Sequence, residues 1–485
     1  MLHRHHFLGL SLTALLATLL AACSAAPTTS SSAPSATAPD TSPPPIVFVH
    51  GNGDSAALWQ TTLWRFESNG WPRDHLHAIN VPYPLARDDD SKPQAGRTST
   101  AEHMAYLKAE VAAVLQRTGA RQVVLMANSR GGNAVRNYLQ NGGGLAGVSH
   151  AILGGTPNHG VWAIPGFREG NEFSGTGPFL TSLNAPKNAA GDEVVGPQGN
   201  ERTPGVRWAT IRSDHNDKFA QPDGLWIGQK GTPTFVTFAG PELKGATNIV
   251  IPRIDHRETS FSPAAFAAAY RFITGQAPRT LAIEPESRIT LSGQITGLGI
   301  RSDDPASGNF ANNLPLPGAL LEIYPTDPQT GQRLSLPGYR KTVGPGGNWG
   351  PFDAQSGQAY EFIITAPGYA TTHIYRSPFP RASAIVHLRA ERLADADKDA
   401  VAGKGAVVTL SRPRGYFDLQ RDTVNFDNVQ PIPGVAATGA GISSSKIKLT
   451  SVPQRPISAS FNGETVTGRA WPAAGGHVTV LELSY

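Results

Sequence analysis

The stretch VVLMANSRGG, residues 123–132, constrains this chain more than any other. Its first residues read as a buried strand, and NAVRNYLQN, after Gly131-Gly132, reads as a helix, so the backbone must change course within a few residues. A serine stands at the apex, with Ala127 two places before it and Gly131 two places after. A turn this abrupt admits only small residues at those two places, and it lifts the Ser129 hydroxyl above the end of the strand. The usual pattern is Gly-x-Ser-x-Gly, from which Ala127 departs by one methyl group. The plainer reading is a strand-to-helix turn with an incidental serine.

The same alternation recurs along the first half. IVFVHG is a short apolar strand followed by a helix-like stretch after Ser55, RQVVLMA and HAILGG are further buried strands, and AEHMAYLKAEVAAVLQRTG is an amphipathic helix closed by Gly119. The pattern ends in SPAAFAAAYRFITG, with Ser262 as N-cap, Pro263 as the first helical residue and Gly275 as the stop. Strands alternating with helices predict an α/β region with a mainly parallel sheet flanked by helices. Beyond Pro278, segments such as LLEIYP, YEFIIT, AIVHLRA, AVVTL, KIKLTSV and HVTVLELSY are short, β-branched and punctuated by turn residues, which predicts an all-β sandwich or barrel. The 52 glycines and 40 prolines suit that division.

A serine hydroxyl needs a base, and the oxyanion formed on attack needs donors. The first strand runs into Val49-His50-Gly51-Asn52-Gly53, where glycines let backbone amides approach a substrate; this resembles the α/β-hydrolases, in which that loop and the residue after the serine supply the oxyanion donors, and the resemblance implies the amides of Asn52 and Arg130. For the base, the chain order of the α/β-hydrolases that these elements resemble places a histidine in the loop before the closing helix, which implies His256; His215 is its main rival, while His50 lies in the oxyanion loop and His373, His387 and His477 lie in the β half. The orienting acid is expected after the strand VRWATIRS, where Asp217 is the choice and Asp214 and Asp223 are alternatives. This chemistry requires no metal and no organic cofactor. Asp395-Ala396-Asp397-Lys398-Asp399 has the acidic spacing of a calcium loop but lacks its sixth-place glycine and twelfth-place glutamate, and is expected to be a linker.

With these parts in order, residues 46–277 resemble the α/β-hydrolase lipases and esterases. Asp217 stands before Phe219 and Gln221-Pro222 much as in the D-x-x-V-Q-P stretch of secreted lipases, and GTPNHG (155–160) and FLTSLN (179–184) resemble segments that follow the serine turn in secreted triacylglycerol lipases. Between them, VWAIPGFREGNEF carries Trp162, Ile164, Phe167 and Phe173, either a cover over an acyl pocket or ordinary core. LPGALLEIYPTDPQTGQRL, GGNWGPF and QAYEFIITAPGY resemble a transthyretin-like fold, and its place after a hydrolase resembles the archaeal-type lipases with a C-terminal β domain. That likeness implies a β domain that helps to handle long acyl chains. No catalytic constellation is visible in the β half itself, so a stabilising or surface-docking role is expected of it.

The amino terminus has the layout of a secretory signal: Arg4, an apolar run from Phe7 to Ala22, and small residues at its end. Leu20-Ala21-Ala22-Cys23 resembles the bacterial lipobox, which implies a lipidated Cys23, a membrane-attached mature chain and, with Ser24 following, outer-membrane sorting; the alternative is a soluble periplasmic or extracellular form. The expected organisation is therefore a signal peptide over 1–22, a Ser/Thr/Ala/Pro-rich tether over 23–45, the hydrolase over 46–277, a transthyretin-like sandwich over 278–394 and a C-terminal β region over 395–485. With 41 Lys and Arg scattered among 37 acids and no long basic run, nucleic acid is not an expected partner. The expected activity is hydrolysis of carboxylic esters, acylglycerols foremost. The alternatives are a polyester depolymerase, an amidase or peptidase, and a non-catalytic envelope-binding protein on a hydrolase shell.

Overall fold

The computed structural model describes residues 43–186, 200–299, 310–401 and 404–485. The expected signal segment, Cys23 and the tether up to residue 42 lie outside the described residues.

The first half is built from β1 (Ile46–Val49), α1 (Gln60–Ser68), β2 (Leu76–Ala78), α2 (Thr100–Thr118), β3 (Val123–Asn128), α3 (Arg130–Asn141), β4 (Val148–Gly154), β5 (Arg207–Ser213), β6 (Thr247–Ile251) and α4 (Pro263–Thr274). The six strands form one parallel sheet in the order β2-β1-β3-β4-β5-β6. Local sequence fixes the helix ends. Ser99 and Glu102 close a capping box at the start of α2, Gly119 ends it at φ 68°, and the Ser262 side chain accepts from the Ala265 amide ahead of α4.

The continuous apolar character of the strands follows from burial on both faces. Val123, Leu125 and Ala127 of β3 pack with Leu107 and Val111 of α2 and Val135 and Leu139 of α3. Val124 and Met126, one residue out of phase, pack on the other side with Phe66 of α1 and Phe266 of α4. Each such fully buried large side chain contributes about 1.5–3 kcal/mol. The sheet order reverses between β1 and β3, and in an open parallel sheet the crevice at the carboxyl ends of such strands is where ligands bind. The chain therefore delivers Asn52 and Ser129, which follow β1 and β3, to one cleft.

The second half is mostly β. A seven-stranded sheet runs in the order Tyr339–Thr342, Leu320–Thr326, Ala359–Thr365, Thr371–Arg376, His477–Glu482, Ala406–Ser411 and Ser444–Leu449. One face packs Ile323, Phe362 and Ile374 against Leu291 and Ile295 of a three-stranded sheet, and the other packs Tyr375, Val408 and Leu410 against Ile457 and Phe461 of another. The central sheet thus draws strands from both sides of residue 394. Trp64 of α1 reaches into the first of these cores, its indole donating to the Ala382 carbonyl at 2.9 Å, so the two halves share packing. Asp395–Ala400 is a short helix whose Asp397 pairs with Lys446 and Lys448 at 2.7 and 2.9 Å. No helix among the described residues is long and apolar enough to cross a membrane.

Candidate active site

Ser129 sits between β3 and α3 at φ 51°, ψ −124°, a backbone state that costs a non-glycine residue about 1–3 kcal/mol and persists only where its surroundings enforce it. The enforcing contacts are close. The Ser129 amide donates to the Gly154 carbonyl at 2.8 Å, and the Gly132 amide donates back to the Ser129 carbonyl at 2.9 Å. A methyl group on Gly131 would lie 2.6 Å from the Val49 carbonyl oxygen and 2.7 Å from that of His50, so only glycine lets α3 start this near β1. Ala127 needs no such freedom: its methyl is buried in the core on the α2 and α3 side.

Opposite the serine, the loop after β1 is held by side chains as well as glycines. The Asn52 side-chain oxygen accepts from the Ala86 amide at 2.8 Å, and the Gly53 amide donates to the Pro84 carbonyl at 3.3 Å. His50 is buried beneath this loop, donating from Nδ1 to the Gly51 carbonyl at 2.9 Å and accepting at Nε2 from the Val81 amide at 3.0 Å. Burial holds its pKa below the usual histidine value, so it acts as a neutral strut. The Arg130 amide is the first of α3 and has no intrahelical acceptor.

His256 and Asp217 meet from the ends of β6 and β5. The imidazole Nδ1 lies 2.9 Å from both Asp217 carboxylate oxygens, and both residues are 3% exposed. Donation from Nδ1 fixes the tautomer and leaves Nε2 as the basic nitrogen. Phe219 packs its edge on the imidazole at 4.7 Å between ring centroids, and its amide donates to Asp217 at 2.8 Å. Asn128, beside Ser129, donates to the carbonyls of Gly154 and His256, each at 3.2 Å, and so ties the serine turn to the histidine loop.

Ser129, His256 and Asn52 line one cavity of about 300 Å³. No hydrogen bond joins the Ser129 hydroxyl to His256 in this structure; among the described residues the imidazole is bonded to Asp217 alone. Asp214 and His215 pair with each other at 3.1 Å in the outer part of the same turn, with His215 exposed, and Asp223 is exposed. The cavity wall is largely apolar: Val161, Trp162 and Phe173 come from the segment after the serine turn, and Phe219, Trp226 and Ile227 from the far side. Ile164 and Phe167 do not line it; Phe167 packs on Trp162 instead.

Two features escaped the sequence. Glu172, inside the segment read as cover or core, forms a buried bidentate pair with Arg130. Tyr416, from the C-terminal half, lines the same cavity as Ser129. The only sequence signal for the second is the arginine-dense run RPRGYFDLQR, in which Arg412 and Arg421 find their acids on the histidine loop.

Residues 43–168 match the family model for class 2 lipases, and residues 287–393 match that of the lipase C-terminal domain. Among curated proteins nothing matches this chain. Similar solved structures include the Bacillus licheniformis lipase BlEst2 in mature form, 20% identical over 49% of this chain and 95% of that one with a TM-score of 0.35. The propeptide form of that lipase is 16% identical over 90% of this chain and 94% of the other, with a TM-score of 0.35. Aspergillus fumigatus lipase B is 14% identical over 49% of this chain and 54% of that chain, with a TM-score of 0.34. Ser129 falls within the class 2 lipase match, while Asp217, His256 and Tyr416 fall outside both matched regions.

Proposed function

We propose that the protein is a serine hydrolase of carboxylic esters, with acylglycerols as the leading substrate class. The observation that carries this reading is the buried His256–Asp217 pair opening onto the same cavity as a serine held at φ 51°. Ser129 Oγ attacks the ester carbonyl carbon while His256 Nε2 takes its proton, and Asp217 orients the imidazole and stabilises its cation. The amides of Asn52 and Arg130 hold the oxyanion. His256 then returns the proton to the departing alkoxide oxygen, the carbon–oxygen bond breaks, and the acyl group remains on Ser129. Water, deprotonated by His256, attacks the acyl carbon; the bond from that carbon to Ser129 Oγ breaks, His256 returns the proton to Ser129 Oγ, and the acid is released. The aromatic and aliphatic cavity wall suits an acyl chain better than a peptide.

The apolar run ending at Cys23 supports an exported, lipid-anchored chain, tested by mass measurement of the mature amino terminus. A fluorophosphonate probe followed by peptide mapping tests the mechanism. Labelling confined to Ser129, with turnover of p-nitrophenyl esters in preference to peptide anilides, is the expected result. An unlabelled chain supports the binding-protein alternative instead.

A further inference from the structure

The C-terminal half sends the segment Arg412–Arg421 onto the loop that carries His256. Arg412 donates to Asp255 at 3.0 Å and to Glu258 at 2.7 Å, and Arg421 pairs with Glu258 as well. The Asp255 carboxylate that receives Arg412 also accepts the Tyr416 amide at 2.7 Å, so one buried acid fixes Tyr416 beside the neighbouring His256. Gly415 permits the approach: a side chain there would strike the Arg412 guanidinium at 2.1 Å.

The Tyr416 ring is held by two cations, and each follows a member of the acid–base pair in sequence. Lys218, after Asp217, places its ammonium 3.9 Å from the ring centroid and donates to the Gly441 carbonyl at 2.7 Å. Arg257, after His256, places its guanidinium 4.9 Å from the same centroid while pairing with Asp54 of the oxyanion loop at 2.6 Å. Tyr416 therefore stands on the histidine side of the cavity. Its backbone is engaged, but its hydroxyl has no partner among the described residues.

On the proposed mechanism the histidine hands its proton to the leaving oxygen, so the alcohol moiety departs on the histidine side. We propose that Tyr416 is a specificity-determining residue for that moiety, its phenol hydroxyl hydrogen-bonding a free hydroxyl of a polyol ester. The inference rests on the serine-hydrolase reading and assigns the C-terminal half a share in the site. A hydroxylated alcohol such as glycerol gains from this contact, and a plain alkyl alcohol does not.

The test compares glycerol monobutyrate with butyl butyrate, which share their acyl group and differ in the alcohol, on the full chain and on Tyr416→Phe. The substitution keeps the ring and its cation contacts and removes only the hydroxyl. The expected result is a five- to tenfold fall in the ratio of kcat/KM for the glycerol ester to that for the butyl ester. A ratio unchanged within twofold overturns the proposal while leaving the hydrolase reading intact. If the unaltered chain neither labels at Ser129 nor hydrolyses butyl butyrate, the hydrolase reading fails and this assignment fails with it.

Discussion

Arg130 and Glu172 meet in a bidentate ion pair, Nε and Nη2 each 2.9 Å from a carboxylate oxygen, with side chains 0% and 2% exposed. The residue whose amide follows the serine is thereby locked, through its side chain, to the segment that carries Trp162 and Phe173 into the cavity. Removing one partner of a buried pair strands the other charge. Glu172→Ala is expected to lower stability by about 3–5 kcal/mol, read by urea unfolding, and to reduce ester turnover, whereas Glu172→Gln retains one acceptor and loses less.

Asp217 and Asp214 stand in one turn but do different work. Asp217 holds His256, while Asp214 accepts from the amides of His215 and Arg253 at 2.7 and 2.9 Å. Asp217→Asn is expected to lower kcat by about 10³- to 10⁴-fold with little change in KM, because the imidazole loses its tautomer and the support for its cation. Asp214→Asn is expected to keep kcat within twofold. Steady-state kinetics on p-nitrophenyl butyrate separates them, and equal losses would remove Asp217 from its role.

The serine turn offers a paired test of backbone approach. A methyl at residue 131 meets the carbonyl oxygens of Val49 and His50, which cannot move without displacing the loop that carries Asn52, so Gly131→Ala is expected to cost about 1–3 kcal/mol and most of the activity. Ala127→Gly restores the commoner residue and deletes one buried methyl, which costs about 1 kcal/mol and leaves turnover in place. Thermal unfolding alongside ester hydrolysis checks both.

His159 and Glu201 give the fold a pH-dependent bond at 3.1 Å. The hydrogen bond to Glu201 raises the His159 pKa above its ordinary 6.5, so this contribution is fully present below about pH 6.5 and is lost as pH rises through the folded value. For Glu201, burial favours the neutral acid, but the bonds from His159 and the Lys244 amide prevail and hold its pKa down to about 2. Its contribution is present above the ordinary 4.5 and lost as pH falls through about 2. His159→Gln is accordingly expected to destabilise the protein between about pH 4.5 and 6.5, by about 1 kcal/mol or less since His159 is partly exposed, and to match the unaltered chain at pH 8.5. Urea unfolding at pH 5.5 and 8.5 checks this; a difference as large at the higher pH would remove the ion pair as its cause.

Much of the first half was legible because its signals are local. The strand runs, the Ser99–Glu102 box and the Ser262, Pro263 and Gly275 markers at α4 each act within a few residues, and the structure places elements at each of them. The β half was legible only as a class. Its strands pair across long separations, as when Thr371–Arg376 lies parallel to His477–Glu482, and no local pattern states which edge meets which.

By itself, the sequence determined the α/β alternation, the small residues that permit a serine at the turn, and the order in which serine, acid and histidine follow one another, since propensity and steric size belong to neighbouring residues. Only the tertiary structure decided that Asp217 rather than Asp214 reaches the imidazole, that Arg130 buries its charge against Glu172, and that Tyr416 enters the cavity from the far half of the chain. Those outcomes depend on charges and rings brought together across tens to hundreds of residues. Their energies come from burial and from the pairing of desolvated ions, which exist only once the chain has closed on itself.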